Sequence, residues 1–309
     1  MNATCFLLAW LAFVVPGVAR AQFRVVGYVP SWRGDVDSTQ FAQLTHVNYA
    51  FVQPTATGGL EPLENPAKLR RLVAAAHAAR VQVLVSIGGW HDGDHSAFDA
   101  IGADAGRSRA LVRHLLRLVR QYHLDGLDMD WEHPDARTAA GYAALMQRLA
   151  TRLHRRGHLL TAAVAGGTWA GPGILPSVFE SVDFLNIMAY DAPPPAHSTY
   201  ADAAQTLAYW QGRGLPASKT VLGVPFYGRP SQESFAALLA RGADPQADFF
   251  DGVGYNGLAT IASKTQLALD QASGIMIWEL TQDAAGANSL LAAIGRVLAQ
   301  HGRAGQPVR

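Results

Sequence analysis

The chain has 309 residues, 49% of them hydrophobic and 16% charged, and its 25 Lys and Arg nearly balance 24 Asp and Glu. A net charge of +1 gives no electrostatic reason to bind nucleic acid or an anionic membrane surface. One cysteine, Cys5, excludes an internal disulfide framework and a zinc site of cysteine type, so the fold must rest on its core.

Residues 1–21, MNATCFLLAWLAFVVPGVARA, read as a secretory signal, with an apolar run from Cys5 to Val18 and a closing A-x-A pattern, Ala19-Arg20-Ala21. The stretch lacks a basic start, which leaves an uncleaved membrane anchor as the alternative. The run is broken by Pro16 and falls short of the ~20 residues of a span. A secreted or periplasmic location is expected, with no membrane partner once the leader is removed. Short apolar, β-branched runs then recur along the chain, each marking a strand. They are 23–30, 46–54, 81–90, 124–132, 159–167, 183–191, 220–228 and 274–280. Helical patterns lie between or after them, most clearly over 66–80, 107–123, 138–156 and 288–301. The tail 302–309, GRAGQPVR, reads as disordered.

Eight strands alternating with helices imply a parallel sheet with right-handed crossovers. Eight units over ~250 residues is the count of an α/β fold of the closed (β/α)₈ TIM-barrel type, here a single domain over 22–301. The alternative is an open doubly wound sheet, whose dinucleotide-binding members often carry G-x-G-x-x-G after the first strand; that pattern is absent here. In a barrel the working face is the C-terminal rim. Aromatic and polar residues gather there: Tyr28 and Trp32, Ser86 and Trp90, Tyr190 and Asp191, Tyr227 and Arg229, Trp278 and Glu279. Rings and acids at one rim describe a carbohydrate cleft.

The stretch LDGLDMDWEH (124–133) sets Asp128, Asp130 and Glu132 on one face of a strand, because side chains alternate with period two. Neighbouring inward carboxylates cannot all ionise cheaply, so a proton is retained among them. A retained proton suits glycosidic cleavage, which needs a protonated carboxyl at the leaving oxygen. Asp128 and Asp130 are expected to hold one proton, with Asp130 able to turn toward Glu132 as general acid. The alternatives are pairing with a buried arginine or binding of a metal; no Arg or Lys lies nearby in sequence, and ligands in line suit a cation poorly. Asp125 is out of phase and is expected to tether the strand start or a neighbouring loop. Gly126 is in phase and would leave room below the acids.

DGLDMDWE (125–132) resembles the D-x-x-D-x-D-x-E signature of glycoside hydrolase family 18, the chitinases and their relatives. SIGGW (86–90), MAYD (188–191), GVPFYGR (223–229) and GIMIWEL (274–280) resemble further motifs of that family, in family order, so the resemblance covers about 23–300. It implies Glu132 as the acid, Asp130 holding the N–H of the substrate's acetamido group, Asp128 supporting Asp130, and Tyr190 bonding the acetamido carbonyl. It also implies that Met188 and Asp191 contact the same sugar, that Trp278 forms its floor, and that Trp90 stacks a sugar on the leaving-group side. Tyr28 and Ser86 would sit near Asp128, and Tyr227 would complete the substrate-binding set. The family uses the substrate's own 2-acetamido oxygen as nucleophile, which restricts the cleaved sugar to an N-acetylated one and retains anomeric configuration.

The 229–273 segment is too short for the α+β insertion that walls the cleft in several chitinases, so an open cleft and mid-chain attack on N-acetylglucosamine polymers are expected. The alternatives are an endo-β-N-acetylglucosaminidase acting on N-glycans or peptidoglycan-type substrates, and a lectin-like binder of chitooligosaccharides. No cofactor or metal is expected; HDGDH (91–95) reads as a solvated loop over the cleft. DAPPPAH (191–197) is either a cleft wall or a stiff loop. His133 reads as a rim residue, and a monomer is expected.

Overall fold

The computed structural model describes residues 22–193 and 195–302. The signal expected over 1–21 lies outside these residues, as does all of the expected tail except Gly302, which closes a turn. Ten strands follow in chain order: β1 Arg24–Pro30, β2 His46–Val52, β3 Gln82–Gly89, β4 Gly126–Trp131, β5 Leu159–Ala165, β6 Phe184–Met188, β7 Thr220–Pro225, β8 Phe249–Phe250, β9 Val253–Gly254 and β10 Gly274–Trp278. Eight of them, β1 to β7 and β10, pair in parallel and close on themselves, with β1 bonded to both β2 and β10. The closed ring is a (β/α)₈ barrel and excludes the open sheet.

Nine α-helices are described: α1 Pro66–Ala78, α2 Ser96–Gly102, α3 Ala105–Tyr122, α4 Ala139–His154, α5 Pro176–Ser181, α6 Tyr200–Gly212, α7 Phe235–Ala240, α8 Leu258–Gln271 and α9 Leu290–Gln300. Their starts follow local chemistry. Asn65 accepts from Lys68 N ahead of Pro66, and Asp104 accepts from Arg107 N, which begins α3 two residues before the expected 107. Thr199 and Asp202 form a reciprocal capping box on α6. Leu111, Leu115, Leu118, Val119 and Tyr122 make the buried stripe of α3 against the barrel.

Between β7 and β10 lie only α7, the β8–β9 hairpin and α8, so the large insertion is absent and the rim stays open on that side. Among the described residues no helix is long and apolar enough to cross a membrane.

The barrel interior holds a small apolar plug of Val26, Tyr28, Ala50, Phe184, Val221 and Met276. A polar layer is set by register: Ser86 stands opposite Asp128, and Asp128 opposite Thr161, on three adjacent strands. Asp125 is the tether its phase implied. Its Oδ2 accepts from Val83 N at 2.7 Å and lies 2.9 Å from His77 Nε2. Gly126 serves a different purpose from the one expected. A Cβ there would lie 2.3 Å from the Leu159 carbonyl oxygen, so the residue admits the close approach of β5 rather than leaving room under the acids.

Candidate active site

A cleft of about 1190 Å³ opens at the C-terminal ends of the strands. Asp130 and Glu132 line it, whereas Asp128 is fully buried beneath. Asp128 is held by four side-chain donors from four strands: Tyr28 (2.6 Å) and Ser86 (2.8 Å) on Oδ2, Thr161 (2.5 Å) and Asn186 (3.1 Å) on Oδ1. Burial raises its pKa, and those four hydrogen bonds oppose the rise. Asp130 has no such shell. Its Oδ1 is buried without a hydrogen-bond partner. Burial, then the charges of Glu132 and Asp128, hold its pKa well above the usual carboxylate range. The two acids are thus unequal: four hydrogen bonds favour the anion of Asp128 against its burial, and nothing comparable offsets burial and like charge at Asp130.

Glu132 follows β4 directly and is 14% exposed, with His133 Nε2 3.3 Å from its Oε2. The glycines of SIGGW are needed at this point. Gly88 has φ +107°, and a Cβ there would lie 2.4 Å from the Asp130 carbonyl oxygen. The strand that presents the acids can approach β3 only because that side chain is missing.

Opposite the acids, Tyr190 and Met188 line the cleft, with the Tyr190 hydroxyl 4.0 Å from Met276 Sδ. Burial pushes the Tyr190 phenol up, so it is a neutral hydrogen-bond donor. Asp191 adopts φ +63° and accepts from Tyr227 Oη at 2.6 Å and from Arg229 Nε and Nη2 at 2.8 and 2.6 Å. His197 Nδ1 lies 3.4 Å from Asp191 Oδ1 and its Nε2 3.2 Å from the Tyr227 carbonyl. Burial works against the charge of Asp191, but bonds from His197, Arg229 and Tyr227 outweigh it and hold the carboxyl well below its ordinary range. Tyr227 lines the cleft while spending its hydroxyl on Asp191. Asp191, Ala192 and Pro193 line the cleft, so the segment opening DAPPPAH is a wall.

Trp278 lines the cleft, with its ring 5.4 Å from Tyr28 edge-on and 5.6 Å from Phe51 in a stack. Trp32 stacks on Phe51 at 6.1 Å and continues the strip outward. Trp90 and Trp169 also line the cleft and are 59% and 63% exposed, with the His133 ring 6.4 and 4.8 Å from theirs. Large exposed rings in a cleft are platforms for a ligand.

A family model described as "Glycosyl hydrolases family 18" matches residues 24–283. The chain belongs to this family. It is 27% identical over 267 residues to Chitinase B of Serratia marcescens, covering 65% of this chain and 53% of that protein. It is 27% identical over 275 residues to the Endochitinase of Manduca sexta, covering 74% and 49%. The chain therefore spans about half the length of these curated relatives. Among solved structures it is similar to the GH18 chitinase ChiB from the chitin utilization locus of Flavobacterium johnsoniae, with TM-score 0.81, 27% identity, and 91% and 96% of the two chains covered. A chitinase from Rhizomucor miehei gives TM-score 0.79 at 26% identity, covering 89% and 99%.

In this family 18 chain the expected site residues Tyr28, Trp90, Asp130, Glu132, Met188, Tyr190, Asp191, Tyr227 and Trp278 all line one cleft. Ser86 and Asp128 lie below it, joined to each other, and do not reach its surface. Glu279, at the end of the last barrel strand, is fully buried and turned to Thr281 and Arg33 instead of the cleft. Phe51, Trp169 and His197 are additions. Trp169 had a signal, since GGTW after β5 repeats the GGW after β3, whereas Phe51 and His197 had none. HDGDH makes an exposed turn, with Asp94 capping Ser96 N and His95 beside Asp99. Among the described residues no group of three or more His, Cys, Asp or Glu is arranged to hold a metal ion.

Proposed function

We propose that this chain is an endo-acting chitinase that hydrolyses β-1,4 linkages between N-acetylglucosamine units with retention, using Glu132 as acid and then base. The observation that carries the reading is the state of the cleft's carboxylates. Four line the cleft: Asp130, Glu132, Asp191 and Asp202. Asp191 is locked by Arg229 and Tyr227, and Asp202 by the Thr199 cap. Burial and the charges of Glu132 and Asp128 disfavour Asp130 as an anion. Glu132 alone is left to act on the leaving group, and no carboxylate is free to attack C1. A glycosidase with one working carboxyl needs a nucleophile from the substrate, and a 2-acetamido group supplies it.

In the first step the proton that Asp130 shares with Glu132 passes from Glu132 to the glycosidic oxygen as the C1–O bond breaks, and the acetamido carbonyl oxygen bonds to C1. Asp130 Oδ1, buried and unpartnered, is the acceptor for the acetamido N–H, and the Tyr190 hydroxyl donates to the carbonyl side. Aligning that amide over Trp278 turns a bimolecular attack into an intramolecular one. In the second step Glu132 takes a proton from water, which attacks C1 from the leaving-group side and opens the oxazolinium ring. The same face is used twice, so configuration is retained.

The short β7–β10 connection and the two groups of aromatic rings that line the cleft, Trp278 with Phe51 and Trp32 and Trp90 with Trp169, support entry at mid-chain and therefore endo action. Secretion, through the leader over 1–21, is the location that fits a polymeric substrate. Mass spectrometry of products from N-acetylglucosamine hexamer and from an N-glycopeptide tests the reading, with Glu132→Gln as control. Dimer, trimer and tetramer from the hexamer, absent with the variant, are expected. Cleavage of the glycopeptide alone would move the substrate to N-glycans, and tight hexamer binding without cleavage would make the chain a lectin.

A further inference from the structure

Behind the cleft wall, Lys264 of α8 is fully buried and has no part in the chemistry above. Its ammonium donates to Ser198 O at 2.8 Å, Ser198 Oγ at 2.7 Å and Asn256 Oδ1 at 2.7 Å. Three neutral oxygens use every N–H that an ammonium has. The acids whose charge reaches it are Asp248, from the segment before β8, and Asp202 of α6. Both are engaged elsewhere, Asp248 with Gly257 N and Thr260 and Asp202 with Thr199. Burial, only partly offset by those acids, brings Lys264 down to a pKa of about 7.

The bonds lead to the cleft. Ser198 Oγ donates onward to Ala189 O at 2.8 Å, the residue before Tyr190 and Asp191. Asn256 Nδ2 donates to Ser198 O at 2.7 Å. One ammonium therefore ties together both ends of the segment 189–198. A neutral amine has two N–H and a lone pair. A serine hydroxyl that turns to that lone pair no longer reaches Ala189 O. The chain has three lysines among its 25 basic residues, and all three donate to main-chain carbonyls.

We propose that Lys264 is a positioning residue for Tyr190 and Asp191: charged, it holds their segment in the geometry that receives the acetamido group, and neutral, it releases it. The role assigned to those two residues rests on the proposed function.

The test is NMR of the full chain with side-chain-labelled lysine, which gives three resonances, assigned with Lys68→Met, Lys219→Met and Lys264→Met. If Lys264→Met does not fold, its signal is the one left by the other two. The Lys264 signal is expected to titrate near pH 7, and the amide signals of Ala189 and Tyr190 to move over the same interval. In the Glu132→Gln background, hexamer affinity should fall about fivefold to tenfold across that interval, the worth of one buried hydrogen bond. Ser198→Ala should be that weak already at about pH 6 and lose the dependence. A Lys264 signal flat between about pH 6 and 9, or amide signals that ignore its titration, would overturn the proposal. So would a Ser198→Ala profile equal to its parent's. Absence of hexamer binding at every pH would sink the chitinase reading, and the amide signals would still decide the lysine's role.

Discussion

Arg229 meets Asp191 with one edge of its guanidinium, Nε to Oδ1 at 2.8 Å and Nη2 to Oδ2 at 2.6 Å. The two parallel bonds fix the plane of the carboxylate, which a lysine cannot do. Arg229→Lys is therefore expected to lower kcat/KM about tenfold, mainly through KM, with the fold intact. Asp191 has a depressed pKa, so the clamp persists above the ordinary carboxylate range and opens only in stronger acid. The acid limb of the pH–rate profile should then be the same in wild type and Arg229→Lys. A limb that shifts with the substitution would mean that Asp191 titrates there.

Glu132→Gln keeps the shape of the side chain and removes the proton it delivers. A lost general acid costs about 10²–10⁴ in kcat. Hexamer affinity, measured by tryptophan fluorescence, should change little, because Trp278, Trp90 and Asp130 remain in place. Retention of more than about a tenth of kcat would reassign the acid.

How much of this was legible beforehand depended on whether the signal was local. β4 was readable because Asp128, Asp130 and Glu132 break an apolar run at period two. The eight barrel strands were readable because short β-branched runs alternate with helical patterns along the chain. Helices α2, α5 and α7 are six or seven residues long, too short to display a helical period. The shell around Asp128 was half visible: Tyr28 and Ser86 sat in strand motifs, but Thr161 and Asn186 are placed there only by register across β4, β5 and β6. Gly126 was misread because its reason lies on the neighbouring strand. His197 was invisible, since a buried histidine in a proline-rich loop looks like any other loop residue.

His46 is buried under the barrel plug, its Nδ1 2.7 Å from Thr45 Oγ1 and its ring 5.3 Å from Phe184. Burial, with the charge of Arg24, brings its pKa down to about 3. The unfolded chain binds this proton below about pH 6.5 and the folded chain does not, so stability falls as pH drops from there toward 3. The loss across that window is roughly 4 kcal/mol. Urea midpoints at about pH 4 and 7 should differ strongly in wild type and much less in His46→Gln. An equal difference in both would place acid lability elsewhere.

Asp130 gives the opposite slope. Its folded pKa is raised by burial and by Glu132 and Asp128, so the folded chain holds a proton that the unfolded chain releases above about pH 4. The stabilisation is complete below that value and is lost as pH rises toward the folded pKa. Asp130→Asn has the shape of the protonated acid and no proton to lose. It should raise Tm at pH 7 by about 2–4 °C for each kcal/mol recovered, leave Tm at pH 4 nearly unchanged, and lower kcat about 100-fold or more. Thermal unfolding at the two pH values, beside hexamer turnover, checks all three. A variant less stable than wild type at pH 7 would show that Asp130 is ionised in the free protein, and the proton would then have to sit on Asp128 despite its four donors.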